Sequence, residues 1–177
     1  MADRASRVRF NVNWQWPAIE MQYERLIERS RLPPERMFAE HMLMVADMDF
    51  LVTSVRRLLR TAAAARKVAS EQQPQLKLAL GTFNSRWGNL TKVRDALEHS
   101  DTAADFPLPA VGIPASGQGD GEFTFMWSGG NLDLGKLYAD ACSIVRAIVS
   151  VIDSAELESD GPGTLNEVGS KSAPGPG

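Results

Sequence analysis

Histidine and cysteine are scarce in this chain, which has two histidines and one cysteine among its 177 residues. A single cysteine excludes a disulfide framework within the chain and fits a reducing compartment. Cys142 lies between Ala141 and the pair Ile144 and Val145, a setting that favours a small buried residue on a helix face over a reactive thiol. So few nitrogen and sulfur ligands give no spacing that is typical of a metal site. We therefore expect neither a disulfide nor a bound metal.

Long apolar segments are absent as well. Residues 1–9 are polar, so the sequence predicts no secretory leader. The longest apolar helical segment, residues 137–152, is interrupted by Asp140 and Arg146, and these charges argue against a membrane span. The composition is that of an ordinary soluble protein, with 44% hydrophobic and 23% charged residues. We expect a cytoplasmic protein that does not contact membranes.

The motifs of common cofactor enzymes are also missing from the sequence. It has no phosphate-binding loop with a lysine, no nucleophile elbow and no zinc-protease helix. We therefore expect no cofactor, and the remaining enzymatic option is metal-free acid–base chemistry that uses arginine and histidine.

The charge of the chain is distributed unevenly. The net charge is −3, and residues 151–177 hold one Lys and five Asp or Glu, which gives −4 and leaves +1 for residues 1–150. The largest basic cluster follows one half of a predicted helix and consists of Arg56, Arg57, Arg60, Arg66 and Lys67. This cluster is interpreted as a solvated helix face in preference to a track for RNA.

Hydrophobic periodicity predicts a mainly α fold, a four-helix up-and-down bundle with a minor antiparallel sheet. Apolar residues alternate with polar ones over residues 8–16, which is the pattern of a half-buried strand. Apolar residues at spacings of three and four predict the helices, in residues 17–31, 34–69, 74–100 and 132–154. A second strand within residues 121–130 is predicted to pair with residues 110–113 as a hairpin between the third and fourth helices, and the N-terminal strand is predicted to join that sheet.

Residues 1–157 are predicted to form a single domain. Residues 158–177 contain too few apolar side chains to offset the entropy of ordering them, so we expect a disordered tail there.

The segment VRDALEHSD, residues 93–101, is the most informative for function. Arg94 and Glu98 are four residues apart, as are Asp95 and His99, so both could be ordinary ion pairs on a helix surface. The same spacing of arginine and histidine occurs in RMFAEH, residues 36–41. Arg94, however, interrupts a stripe whose other members are all Leu, Phe or Trp, at positions 76, 80, 83, 87, 90 and 97. Because an arginine in an apolar stripe is costly unless it is paired or faces a cleft, we expect Arg94 to face the interior, a pocket or a partner subunit.

These residues resemble the HEPN superfamily, whose members are helical bundles, usually dimeric, with an Arg-x(4–6)-His motif late in the bundle. Arg94, Asp95 and His99 match that motif, and the E-H-x-D of residues 98–101 is similar to a subset of bacterial members. The resemblance spans roughly residues 17–154. It implies a homodimer that binds RNA, or a metal-independent ribonuclease of toxin or defence type. His99 would then act as general acid or base, Arg94 would stabilise charge on the phosphate, and Asp95 would orient one of them.

Two features of the segment separate it from active members of the superfamily. Asp101 stands two residues after His99, where toxin members often carry tyrosine. Residues five apart on an ideal helix also differ by about 140°, so Arg94 and His99 share a cleft only if the helix ends or bends near Glu98, or if a partner chain supplies one of them. The alternative function is therefore a non-catalytic dimerisation or interaction module, in which Glu98 and Asp101 would contribute interface contacts.

Overall fold

The computed structural model describes residues 2–68, 73–98, 124–127 and 130–159. Within these ranges the chain forms five helices, α1 (Ala2–Ser30), α2 (Pro34–Ala65), α3 (Gln73–Trp87), α4 (Leu90–Glu98) and α5 (Leu134–Ser159). Two strands, β1 (Thr124–Trp127) and β2 (Gly130–Asp133), pair in antiparallel fashion, with Phe125 opposite Leu132. The prediction of a mainly helical protein with a small antiparallel sheet is confirmed.

The predicted N-terminal strand is wrong, because residues 8–16 belong to the long helix α1. Their alternation of apolar and polar residues coexists with a longer helical pattern, which buries Ala5, Val8, Val12, Ile19 and Leu26. Of the other apolar members of the alternation, Phe10 and Trp14 are exposed to solvent and Trp16 is half-buried. Pro17 lies inside α1, where its ring removes one backbone hydrogen bond without ending the helix.

Helices α1 and α2 form an antiparallel hairpin around the turn at residues 31–33. Pro34 is the first residue of α2, a position that suits proline because its missing N–H would have no helical partner there. The buried face of α2 includes Met44, Met48, Leu51, Val55 and Leu58, as the helical periodicity predicted. Helix α2 ends at Ala65, four residues before its predicted end.

The predicted third helix is divided in two by a turn at Gly88 and Asn89. A Cβ on Gly88 would lie only 3.1 Å from the carbonyl oxygen of Asn84, so the backbone is close-packed at this point. The carbonyl of Asn89 accepts from the backbone N–H of Lys92 at 2.8 Å and of Val93 at 3.1 Å, which starts α4.

Helix α5 packs against α1, α2 and α3 and buries the apolar stripe that the sequence predicted. Its fully buried members include Leu134, Leu137, Ala141, Ile144, Ile148 and Val151. Residues 132 and 133, predicted as the start of this helix, instead complete β2, the partner of β1. The predicted partner, residues 110–113, lies outside the described residues, as does the predicted tail except for residues 158 and 159, which continue α5.

Candidate functional site

Helix α4 positions the arginine singled out by the sequence. Leu90, Val93 and Leu97 are buried and fix the inward face of this nine-residue helix. Arg94 follows Val93 directly, and 29% of its side chain is exposed. The arginine is therefore half-buried at the edge of the core, neither fully inside it nor fully exposed to solvent.

The guanidinium of Arg94 is held by the neighbouring carboxylate. Its Nε donates to Oδ1 of Asp95 at 3.0 Å, and its Nη2 contacts the same oxygen. Asp95 is close to half exposed, so the pair contributes little to stability. Two charge-assisted contacts from one guanidinium nevertheless restrict its orientation, which leaves the cation fixed beside the surface.

The structure brings Arg94 and Asp95 together but does not describe the rest of the predicted site. Glu98 is the last residue of α4, and its side chain is outside the described part of the structure, as are the whole of His99 and Asp101. The juxtaposition of Arg94 and His99 thus stays a prediction. His41, which has the same spacing from Arg36, lies in α2, and its side chain is not described either.

A second polar cluster joins α3 to α5 and was missed by the sequence reasoning. Asp140 accepts from Nη1 of Arg86 at 2.9 Å and 2.8 Å, through its two oxygens, and from Nε1 of Trp87 at 2.7 Å. Only 14% of the Asp140 side chain is exposed. The cluster fixes the end of α3 immediately before the turn that leads to α4. Its sequence signal was Asp140 itself, an acidic residue within the apolar segment of α5.

An open pocket of about 390 Å³ lies beside this cluster, between α3 and α5. Its lining residues are mostly polar or small, namely Gln75, Leu78, Ala79, Thr82, Asp140, Ser143, Arg146 and Ala147. Since Ser143 already donates to the carbonyl of Ala139 at 3.1 Å and Asp140 is engaged by two donors, the pocket holds no obvious nucleophile and base pair among the described residues.

Aromatic rings also connect α1 to α5. Tyr138 stacks on Tyr23 with ring centroids 4.2 Å apart and on Trp16 at 5.3 Å. Its hydroxyl donates to Oε1 of Glu20 at 3.4 Å, and burial raises the pKa of Tyr138 to about 12. Burial also raises the pKa of the nearby Cys142 thiol, which keeps that thiol protonated at neutral pH. The cluster therefore acts in packing rather than in nucleophilic chemistry.

Two kinds of feature are absent from the described residues. Within them, no group of three or more His, Cys, Asp or Glu side chains could hold a metal ion. No helix in the described ranges is both long enough and apolar enough to cross a membrane.

Comparisons with known proteins do not assign a family. The chain matches no protein-family model, no curated protein and no solved structure.

Proposed function

We propose that the chain is a HEPN-like cytoplasmic RNA-binding protein that cleaves RNA without a metal, with its site at the end of α4. The observation that carries this proposal is the arrangement of Arg94 and Asp95. An arginine at the edge of the core is oriented by the carboxylate that follows it, as the resemblance implies for a phosphate-binding arginine.

The proposed reaction uses the ribose of the RNA itself as nucleophile. His99 accepts the proton of the 2′-OH while that oxygen attacks the adjacent phosphorus, and the bond from phosphorus to the 5′ oxygen of the next nucleotide breaks. A protonated histidine, in a dimer the one of the second subunit, donates a proton to that leaving oxygen. Arg94 stabilises the negative charge that accumulates on the phosphate oxygens. The products are a 2′,3′-cyclic phosphate and a 5′-hydroxyl.

The proposal includes a homodimer and an up-and-down arrangement of the main helices. A half-buried Arg94 is suited to an interface, since a second subunit would cover its remaining exposed surface and bring a second motif to the same cleft. Glu98 and Asp101 would then contribute contacts between the subunits.

The alternative is a non-catalytic interaction module in which the same pair is structural. The observation in its favour is that Asp95 already neutralises Arg94, because a carboxylate beside the guanidinium weakens its attraction for a phosphate.

The test is incubation of the purified chain with RNA in the presence of EDTA, followed by analysis of the RNA ends. The proposal requires 2′,3′-cyclic phosphates, and His99→Ala is expected to lower the cleavage rate by at least about 100-fold, the usual contribution of a general acid or base. The unfolding temperature of this variant should stay close to that of the wild type.

A matched control on the same helix is Lys92→Ala, since Lys92 is exposed on α4 and has no role in the proposed site. Its cleavage rate should equal that of the wild type, whereas Arg94→Ala should be strongly impaired. RNA that keeps intact ends with every variant, including the wild type, would leave the interaction module as the function.

A further inference from the structure

The two halves of the α1–α2 hairpin carry opposite charge. We call residues 2–16 and 50–68 the open half, and residues 17–49, which include the turn, the turn half. The open half has three arginines from α1, four arginines and one lysine from α2 and the following turn, and one aspartate, so its formal charge is 8 − 1 = +7. The turn half has four arginines and seven acidic residues, which gives 4 − 7 = −3. In a chain of net charge −3, the open half is thus a concentrated positive surface.

Several of these cations are not neutralised by the fold. Arg9 forms ion pairs with Asp153 at 2.7 Å and Glu156 at 2.8 Å on the side of α1 that faces α5. Among the described residues, by contrast, Arg56, Arg57 and Arg60 form no ion pair, and both Arg57 and Arg60 are exposed. Their charges therefore attract an anion from solution instead of another part of the chain.

Two of the exposed aromatic rings in this positive surface lie on α1. Phe10 and Trp14 are 69% and 72% exposed, although Val8 and Val12 on the same helix are buried. Since residues 7, 10 and 14 are spaced by three and four, Arg7 shares the outward face of α1 with both rings. Exposed apolar side chains that lie together on one face mark interaction sites more often than isolated ones do.

The register of the hairpin places the rings beside the arginines of α2. Thr61 donates to Oε1 of Gln15 at 3.0 Å, and Nη1 of Arg4 donates to the carbonyl oxygen of Lys67 at 3.3 Å. In two antiparallel helices, the residues that directly precede a facing pair lie on the same side of the hairpin. Trp14 and Arg60 precede Gln15 and Thr61, so they share one side of the hairpin at the same level. One outward surface therefore combines stacking platforms with cations.

We propose that the open half of the hairpin binds single-stranded RNA, with bases stacked on Phe10 and Trp14 and with phosphates on Arg57 and Arg60. This inference deepens the proposed function, on which it rests for RNA as the polyanion. Non-specific recognition of single strands combines these two features, a basic track along the backbone and aromatic rings that stack on unpaired bases.

The arrangement favours a strand over the two other polyanionic surfaces. In a duplex the bases already stack on one another and are out of reach of the two rings. Binding to a membrane surface requires a helix with a continuous apolar face, whereas the exposed Asn11 and Asn13 flank the rings. The cations of α2 and of the turn that follows it extend from residue 56 to residue 67, roughly 16 Å along the helix axis, which suits a short stretch of backbone.

The test measures binding of the full chain to a short 2′-O-methyl single strand, which cannot be cleaved through its 2′ oxygen. Fluorescence anisotropy at several salt concentrations gives the dissociation constant and its salt dependence. Trp14→Ala is expected to weaken binding about tenfold, the typical effect of removing the platform for one stacked base, while Trp14→Phe should keep most of the affinity. Arg57→Glu should weaken binding and reduce the slope of log K against log salt by about 0.7 for each phosphate that the variant no longer neutralises.

Matched controls are available on α3. Leu78 is as exposed as Trp14, at 72%, and the neighbouring Lys77 is an exposed cation outside the open half. Leu78→Ala and Lys77→Glu should bind the strand as the wild type does. The unfolding temperature of each variant shows whether it has kept its fold.

Three results would overturn the inference. They are wild-type affinity in both Trp14→Ala and Arg57→Glu, tighter binding to the matching duplex than to the single strand, and binding to phosphatidylserine vesicles without binding to the strand. A failure of the proposed cleavage can be distinguished from a failure of the binding surface. If the strand binds through the open half while natural RNA keeps intact ends, the docking surface stands and the catalytic role of α4 does not.

Discussion

Arginine has opposite roles in the turn half and in the open half of the α1–α2 hairpin. In the turn half, Arg29 of α1 reaches across to α2, where it contacts Asp47 and pairs with Glu40 at 3.1 Å. Asp47 is 5% exposed, and Nη1 of Arg25 lies 3.6 Å from its Oδ1. In the open half, the exposed arginines of α2 have no such carboxylate opposite them among the described residues.

This difference separates charges that join helices from charges that are available to a partner. A buried carboxylate is tolerated only when cations surround it, so the turn half fixes the packing of α1 on α2. Like charges close together repel one another and reduce stability. The cations that suit the open half to binding an anion therefore contribute little to the stability of the fold.

The largest expected effect of a substitution is in the turn half. Asp47→Ala removes the buried partner of Arg29, whose side chain is 17% exposed, and leaves that cation with Glu40 as its remaining carboxylate partner among the described residues. The free energy of unfolding should fall by about 3 kcal/mol, which for a chain of this size lowers the unfolding temperature by roughly 6–12 °C. Chemical denaturation and thermal unfolding, both monitored by circular dichroism, give the two quantities.

The control for Asp47→Ala is the removal of an exposed carboxylate that pairs with the open half. Asp153 is 54% exposed and shares Arg9 with Glu156, so Asp153→Ala should cost less than about 1 kcal/mol. Equal losses of stability in the two variants would show that the buried ion pair of the turn half stabilises the chain no more than the exposed ion pair of the open half.

Alkaline pH offers a second way to sharpen the comparison, because the turn half also contacts α5 through Tyr138. Burial raises the pKa of Tyr138 from its ordinary value of 10 to about 12. Between these values the unfolded chain loses the phenolic proton while the folded chain keeps it. The contribution of Tyr138 to the free energy of unfolding is therefore fully present below pH 10 and is lost as the pH rises toward 12. Tyr138→Phe has no proton to lose at this position, and its stability should decline less steeply over that window.

The measurement for Tyr138→Phe is the difference in unfolding free energy from the wild type, followed from neutral pH to pH 12. Near neutrality the variant should be slightly less stable, since it lacks the 3.4 Å hydrogen bond to Glu20. Tyr23 keeps its own raised pKa in both proteins, so only the difference between them reports on Tyr138. A difference that stays constant up to pH 12 would contradict the assignment.

The sequence predicted the helices in which apolar residues recur only at spacings of three and four. The stripe of α2 that contains Met44, Met48 and Val55 is buried, as is the stripe of α5. In α1, however, apolar residues at intervals of two and of three to four overlap, and Pro17 favoured a boundary. The choice depended on tertiary contacts with α2 and α5, which no local pattern contains.

The same misassignment hid the open half of the hairpin. The basic residues of α2 were recognised as a cluster, but as the solvated face of one helix. The strand predicted over residues 8–16 included Arg9 and left Arg4 and Arg7 outside any predicted element, so the position of this part of α1 beside α2 could not be foreseen. A surface formed by two helices becomes visible only when both helices and their register are known.

For the candidate site on α4, the structure describes only the surroundings of Arg94 and Asp95. The interruption of an apolar stripe indicated an unusual environment for Arg94, and the structure places this residue half-buried. Helical spacing offered Glu98, four residues away, as one possible ion-pair partner, and its side chain lies outside the described residues. The guanidinium contacts the adjacent Asp95, the residue to which the resemblance gives an orienting role. Contacts between sequence neighbours depend on side-chain rotamers, which helical spacing does not determine.

The smallest expected effect on stability comes from reversing one cation of the open half, and the matched reversal in the turn half tests the comparison. Arg60→Glu lowers the formal charge of the open half from +7 to +5 without breaking an ion pair among the described residues, so the free energy of unfolding should stay within about 0.5 kcal/mol of the wild type or rise slightly. Arg25→Glu, in the turn half, instead places a second negative charge near the buried Asp47 and should destabilise the chain by more than that. Added salt should shrink the effect of Arg60→Glu, because exposed charges are screened, and should affect Arg25→Glu less, because Asp47 is buried. If both reversals destabilise the chain equally, the open half is as firmly paired as the turn half, and its arginines are not available to an RNA backbone.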